Sequence, residues 1–597
     1  MAVDARNTNT LWASVLVETL ARLGLQVAVI CPGSRSAPLA VAFAQHEEIE
    51  AISILDERSA AFFALGFAKR THQAVALVCT SGTAGANFYP AIIEARESRV
   101  PLLVLSADRP PELRHCQAGQ AIDQQKLYGN YTAWYNELAL PQLSLQQLRY
   151  LRQTLIYGWE RTRFPVPGVV HLNCPFRDPL APEPEPQTQE FVTLLGEQRW
   201  QAFFAAVVPQ TPAYPRASGE SLDRAFAAWF KSDRGLIIAG VAQPQNPKRY
   251  SERVAQLAKT LGFPVLAEAL SPIRHWASLN SQLVVRYDWL LRHRQMSQEL
   301  RPDVVIQLGD LPTSKVLRQW LQQLNGLTWV LDPGDRNLDP LHGRTIHLRL
   351  DVERLPIPDP VVPPGPSDFC QQWCEADAQV EEALSLEMAD TQPLREPQLP
   401  WLVSQSLPSQ RQVMVANSTP VRDMEWFWRR SDRQTQVFCN RGANGIDGTL
   451  STAIGLAYGG KPTLLMTGDL AFLHDTNGLL LAQRLKQRGH LTVLLINNQG
   501  GGIFELLPIA QFNPPFEEFF ATPQQVHLDK LSSAYGIDYA IIQSAGELKD
   551  ALHQFPQPGL RILEVKSDRR RDHQWRSQLF EKVSQWTSRE QGTRNRK

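Results

Sequence analysis

Residues 463–466 form an apolar run that ends in Gly468-Asp469, and residues 491–496 form a second that ends in Asn497-Asn498. The stretch between them has helical character. Strand, crossover helix and strand in that order predict a parallel pair, because a right-handed crossover returns the chain to the same end of the sheet. Asp469 and Asn498 should therefore emerge at one edge. A carboxylate and a side-chain amide converging there, with Gly500-Gly501-Gly502 just beyond, suit a small hard cation holding a diphosphate. Turn residues that simply close two strands are the alternative, and spacing alone supports both equally.

The same alternation runs along the chain. Helical spacing over residues 11–23 leads to a short apolar strand at 27–31 and the turn Pro32-Gly33-Ser34-Arg35-Ser36. Strands at 51–55, 75–79 and 101–106 follow, separated by helices at 59–69 and 84–96. Such alternation predicts a doubly wound parallel sheet with helices on both faces. Ligands of these folds sit beyond the carboxyl ends of the strands. The loops expected there are 32–36, Asp56-Glu57-Arg58, Thr80-Ser81-Gly82-Thr83 and Ala107-Asp108-Arg109-Pro110.

Pro182-Glu183-Pro184-Glu185-Pro186 reads as a stiff extended linker and a first boundary. A second alternating unit has strands at 235–240, 264–269, 304–309 and 329–332, and proline-rich residues 356–360 and 363–366 mark a second boundary. A third unit runs from 412–415 through the opening motif to 561–565. The expected domains are thus 1–186, 187–366 and 367–597, the first and third resembling two copies of one architecture. The arginine-rich tail after Asp568 is expected to cap or drape over the last domain, with RNA binding the weaker alternative.

Bulk charge excludes some partners. The 60 basic and 60 acidic residues cancel, which removes charge as an argument for nucleic acid or anionic membrane. Seven dispersed cysteines fit a reducing compartment. Cys370 and Cys374 lie one helical turn apart, but no second pair or nearby histidines complete a zinc set, so they read as ordinary thiols. The first residues lack a charged-then-apolar signal, and Asn7-Thr8-Asn9-Thr10 looks like a helix start. No apolar run is long enough to span a bilayer. A soluble, cytoplasmic protein is expected.

Gly468-Asp469, the spacer and Asn497-Asn498 together resemble the cofactor motif of the thiamine-diphosphate-dependent enzymes. That resemblance implies magnesium, or manganese in its place, held by Asp469, Asn498 and the backbone carbonyl of Gly500. Leu470 departs from the second glycine that many members carry, without touching a ligand side chain. The superfamily also requires a glutamate from its other domain, and Glu57 matches it. Three doubly wound parallel-sheet α/β domains in this order match the decarboxylase-like architecture, with a pyrimidine-binding first domain and a diphosphate-binding third.

A closer resemblance covers nearly the whole chain. Asp56-Glu57-Arg58-Ser59, Thr80-Ser81-Gly82-Thr83-Ala84, Asp108-Arg109-Pro110, Gln120-Ala121-Ile122, Asn440-Arg441-Gly442-Ala443, Gly445-Ile446-Asp447-Gly448 and Gly501-Gly502-Ile503-Phe504 follow residues 32–36 in order. The set is similar to the 2-succinyl-5-enolpyruvyl-6-hydroxy-3-cyclohexene-1-carboxylate synthase family of menaquinone and phylloquinone biosynthesis. It implies that 2-oxoglutarate is decarboxylated on thiamine diphosphate and that the succinyl carbanion adds to isochorismate.

The resemblance also implies roles. Glu57 would hydrogen-bond the aminopyrimidine and help the cofactor deprotonate itself, a role suited to a buried carboxyl. A helix-start glutamate favoured by the macrodipole is the alternative. Both substrates carry two carboxylates, which arginine forks match. Ser418, Arg422 and Arg441 would face the oxoglutarate-derived part, and Ser34, Arg35, Arg109 and Lys315 the isochorismate side. Gln120 would orient the reacting groups. Ile446 would prop the cofactor into its bent form, and Ile503, Phe504 and Leu507 would wall the thiazolium. Gly119 and Val316 depart from some members beside the isochorismate contacts.

In the superfamily the two half-sites meet across a subunit interface, so a homodimer is the least assembly implied and a tetramer the next. A related enzyme making acetolactate or an aldehyde would need fewer cations than these four arginines. A degenerate binding protein would lack Glu57, Asp469 or Asn498.

Overall fold

The computed structural model describes residues 3–209, 215–358, 365–389, 393–554 and 558–594, with side chains described as far as residue 583. Residues 359–364, which take in the end of one proline-rich run of the expected second boundary, the start of the other and the two residues between, lie outside the described residues.

Three six-stranded sheets carry the fold, and every strand pair in them is parallel. The first contains β1 (Val27–Ile30), β2 (Glu50–Ser53), β3 (Val75–Cys79), β4 (Leu102–Asp108), β5 (Trp134–Glu137) and β6 (Val169–Pro175), in the order β2-β1-β3-β4-β6-β5. The second contains β7 (Gly235–Ala239), β8 (Val265–Ala267), β9 (Leu283–Val284), β10 (Val304–Leu308), β11 (Leu327–Leu331) and β12 (Arg344–Leu348), in the order β12-β11-β10-β7-β8-β9. The third contains β13 (Gln412–Val415), β14 (Gln436–Phe438), β15 (Thr463–Gly468), β16 (His490–Asn497), β17 (Asp538–Ile541) and β18 (Gly559–Lys566), in the order β14-β13-β15-β16-β18-β17. The first and third orders are the same permutation, which is the duplication expected from the sequence.

The chain forms two compact units. The first holds Met1–Ala213, Asn440–Gly460 and His474–Arg484; the second holds Tyr214–Cys439, Lys461–Leu473 and Leu485–Lys597. In the first unit, Trp12, Leu16 and Leu20 of the Thr8–Arg22 helix pack with alternate residues of the sheet, Ala28 and Ile30 in β1 and Ala76 and Val78 in β3. That helix begins at a capping box between Asn7 and Thr10, which satisfies two amides otherwise left open. The Pro186–Phe204 helix adds Trp200, Phe203 and Phe204 to the same core.

Also within the first unit, the Glu57–Thr71 and Thr449–Ala457 helices touch backbone to backbone. A Cβ on Gly66 would lie 2.0 Å from the Thr452 carbonyl oxygen, and one on Gly455 would lie 2.0 Å from that of Phe63. In the second unit, one apolar cluster joins β7 and β10 to Trp373, Phe427, Leu579 and Val583. Another fills one face of β13, β15 and β16. Residues 569–594 form a helix that packs Trp575, Leu579, Phe580 and Val583 on this unit.

Two sequence expectations need correction. The helix expected over 84–96 is two helices, Ala84–Asn87 and Tyr89–Glu97; Pro90 lacks an amide hydrogen and sits only in the first turn of the second. Strands β5, β6, β9, β12, β14 and β17 were not predicted, and most of them lie at or beside sheet edges.

Candidate active site: two strand-end half-sites

Within the first unit, the reversal of strand order falls between β1 and β3. A crevice opens at the carboxyl ends of strands that diverge in this way. Residues 32–36 follow β1 and residues 80–83 follow β3, and a Cβ on Gly33 would strike the Thr80 side chain at 2.2 Å. Arg35 is 5% exposed and donates from Nη1 to the Phe176 carbonyl at 2.9 Å, with Asp178 at 3.6 Å. Burial lowers its proton affinity, and Arg109 lowers it further.

Arg109 donates from Nε and Nη2 to the Gly119 carbonyl at 3.1 and 2.8 Å. Gln120 donates from Nε2 to the Ser81 carbonyl at 3.0 Å. Ser34 is exposed. The structure therefore gathers Ser34, Arg35, Arg109 and Gln120 at one sheet edge. Glu57 opens its helix after β2, half-buried, behind Asp56, whose carboxylate caps the Ser59 amide.

Sequence reasoning assigned no role to Ser59, Thr80 or Ser81 at this edge, and it placed only Arg35 among the four residues with unpartnered atoms here. Ser59 Oγ, Thr80 Oγ1, Ser81 Oγ and Arg35 Nε are buried without hydrogen-bond partners. Buried polar atoms rarely stay unsatisfied, so these mark a place for a polar ligand. Lys69 and Glu94 were also missed. Glu94 accepts from the Gly442 and Ala443 amides at 3.0 and 2.7 Å, while Lys69 Nζ reaches Glu94 at 3.2 Å and Asn440 Oδ1 at 2.9 Å. This buried pair anchors the loop that carries Arg441 and Ile446, both half-buried. A lysine and a glutamate each set among the apolar residues of a helix were the available signal.

In the second unit the strand order reverses between β13 and β15. Ser418 follows β13 with φ 75° and ψ −135°, a strained conformation for a residue with a side chain. Its carbonyl accepts from Arg422 Nη1 at 2.6 Å. Asp469 follows β15, is 4% exposed, and accepts from the Leu470 and Gly500 amides, each at 2.9 Å. Burial pushes its carboxyl up to about 6, these amides pull back, and Glu396 adds to the rise.

Asn498 follows β16, is 4% exposed, and donates from Nδ2 to Glu396 Oε2 at 3.0 Å. Its Oδ1 is buried without a partner. Gly500 adopts φ 127°, and a Cβ there would lie 2.2 Å from the Ala521 carbonyl oxygen. Ile503 and Phe504 are half-buried in a short turn of helix, with Phe504 edge-on to Phe520, and Leu507 is exposed. Arg569 clamps this turn, donating to the Gln499 carbonyl at 2.8 Å and to Glu505 at 3.0 Å.

The orphaned Asn498 oxygen tests whether a cation suits the site. With the Asp469 carboxylate and the Gly500 carbonyl it forms an all-oxygen set, which fits a hard cation that keeps other positions for waters and phosphate oxygens. Among the described residues no cluster of three or more His, Cys, Asp or Glu side chains offers a competing metal centre. Lys315 is exposed and opens the Lys315–Leu321 helix that follows β10 of the second sheet.

Three family descriptions match in sequence. Residues 12–127 match the thiamine pyrophosphate enzyme N-terminal TPP binding domain, residues 206–415 the middle domain of thiamine pyrophosphate, and residues 423–565 the C-terminal TPP binding domain. The 2-succinyl-5-enolpyruvyl-6-hydroxy-3-cyclohexene-1-carboxylate synthase of Rippkaea orientalis is 52% identical over 589 residues, covering 98% of both chains. The chain belongs to this synthase family. Other synthases of the family agree, that of Trichormus variabilis at 54% identity, covering 96% of this chain and 98% of its own. The fold extends further: an X-ray structure from Mycobacterium smegmatis, assigned as a thiamin diphosphate-dependent enzyme, superposes with a TM-score of 0.67 at 15% identity, covering 93% of this chain and 99% of that one.

Proposed function

We propose that this enzyme decarboxylates 2-oxoglutarate and transfers the remaining four-carbon unit to isochorismate in a 1,4-addition. The products are 2-succinyl-5-enolpyruvyl-6-hydroxy-3-cyclohexene-1-carboxylate and CO2, a step of menaquinone or phylloquinone biosynthesis. The observation that carries the reading is the 52% identity to a synthase named for that product over 98% of both chains, and the unpartnered Asn498 oxygen supports the cation site within it. Thiamine diphosphate supplies the electron sink when bound.

The chain's residues do the rest. Asp469, Asn498 and the Gly500 carbonyl would hold magnesium, with manganese able to replace it. Glu57 would accept and return a proton at the aminopyrimidine, and Gln120 would orient the reacting groups. Ile446 would prop the cofactor, and Ile503, Phe504 and Leu507 would form the apolar wall around the thiazolium. Arg422, Ser418 and Arg441 would bind the oxoglutarate carboxylates by charge-assisted hydrogen bonds. Arg35, Arg109, Ser34 and Lys315 would bind isochorismate. The half-sites would be completed across the interface of a homodimer, alone or within a tetramer. No helix among the described residues is long and apolar enough to cross a membrane, in keeping with a cytoplasmic enzyme.

Purified protein incubated with thiamine diphosphate, magnesium, 2-oxoglutarate and isochorismate should consume isochorismate only when all four are present. Consumption of pyruvate with isochorismate ignored would sink the proposal.

A further inference from the structure

We infer that Glu396 is a positioning residue for the cation, and that the carboxyl-terminal helix acts on the cation site through it. The inference rests on the cation site proposed above. An asparagine amide can present either oxygen or nitrogen to a ligand, and only the oxygen binds a cation. Asn498 Nδ2 donates to Glu396 Oε2 at 3.0 Å. A carboxylate accepts and does not donate, so a flipped amide would set oxygen against oxygen there and turn its N–H groups toward the cation. Glu396 therefore fixes which end of Asn498 faces the site.

Glu396 is itself held on two sides. Its backbone amide donates to Asp572 Oδ2 at 3.0 Å, and Arg576 Nη2 lies 3.3 Å from its Oε2. Arg576 grips Asp423 with two bonds, Nε to Oδ1 at 2.7 Å and Nη2 to Oδ2 at 2.6 Å. Glu396, Asp423, Asp572 and Arg576 are each at most 1% exposed. Four buried charged groups are a costly way to stabilise a fold, since apolar packing of equal volume does as well. Aligned behind one ligand's amide, they do what outer-shell partners of metal sites do: they set the ligand's orientation.

The test measures free Mn2+ by electron paramagnetic resonance, titrating the full chain in the presence of thiamine diphosphate. Glu396→Leu removes the acceptor, and its Mn2+ affinity should fall about 10- to 100-fold, with turnover recovering at saturating Mn2+. Glu396→Gln keeps a carbonyl acceptor and should stay within about threefold of the parent, the hydrogen bond to Asn498 being retained. Parental affinity in the leucine variant, or equal losses in both, overturns the inference. If the leucine chain does not fold, Arg576→Lys takes its place: it keeps a charge but loses the fork, and unchanged Mn2+ affinity there overturns the inference as well. A parent chain that binds no Mn2+, or an Asp469→Ala chain that binds it as the parent does, refutes the cation site itself and the inference with it.

Discussion

The Gly500 amide donates to Asp469 Oδ2 at 2.9 Å, so the residues leaving two neighbouring parallel strands are tied directly to each other. The bond aligns two of the three oxygens assigned to the cation. It exists because Gly500 adopts φ 127° against the Ala521 carbonyl, a backbone state and a clearance that only glycine provides. Gly500→Ala should weaken cofactor binding at least about tenfold, since outer contacts of this kind set metal affinity. Isothermal titration with thiamine diphosphate and magnesium checks this, and parental affinity would show that the turn does not shape the site.

Glu57 begins its helix half-buried, behind the Asp56 cap. Glu57→Gln preserves shape and removes the proton acceptor. Turnover should drop by about 10²- to 10⁴-fold, the span for a lost acid–base group, with the melting temperature and cofactor affinity retained. Undiminished turnover would refute the assigned role.

The contact between the Glu57–Thr71 and Thr449–Ala457 helices leaves no room for a methyl group at Gly66 or Gly455. Gly455→Ala must push the helices apart or strain the backbone, at about 1–3 kcal/mol for overpacking. Urea denaturation should show that loss. A variant as stable as the parent would mean that the helices do not pack this closely.

Asp475 is buried, and burial pushes its carboxyl up to about 6 although the Ser451 amide and hydroxyl donate to it. In the unfolded chain an aspartate titrates near ~4. Below that pH the group is protonated in both states and imposes no cost. Between about 4 and 6 the unfolded state gives up its proton first, so the contribution to stability falls as pH rises. Above 6 the cost is constant, about 3 kcal/mol for two pH units. The stability of the parent relative to Asp475→Asn should therefore decline by about that amount from pH 4 to pH 7. Parallel denaturation curves across that range would contradict it.

Buried central strands were legible because their residues are apolar without interruption, as in β3 and in residues 493–496 of β16. Edge strands pair on one side only and can stay polar: β5 carries Asn136 and Glu137, and β17 is largely exposed. Strand β6 was hidden by His171 and Asn173, whose side chains meet Ser106. Asp469 and Asn498 could be read because each directly follows its strand. Glu396 and Arg576 could not, since neither sits in a local pattern, and an arginine in a basic tail reads as a solvated charge until its buried partners are seen.

The contact between Glu396 and Asp572 closes a loop of 176 residues. A ribosome adds about 5–20 residues each second, so Asn498 emerges several seconds before the segment that supports its neighbour. A nascent chain thus carries Asp469 and Asn498 before the contact behind Glu396 can form. Support for Glu396 waits on docking of a helix made 176 residues later.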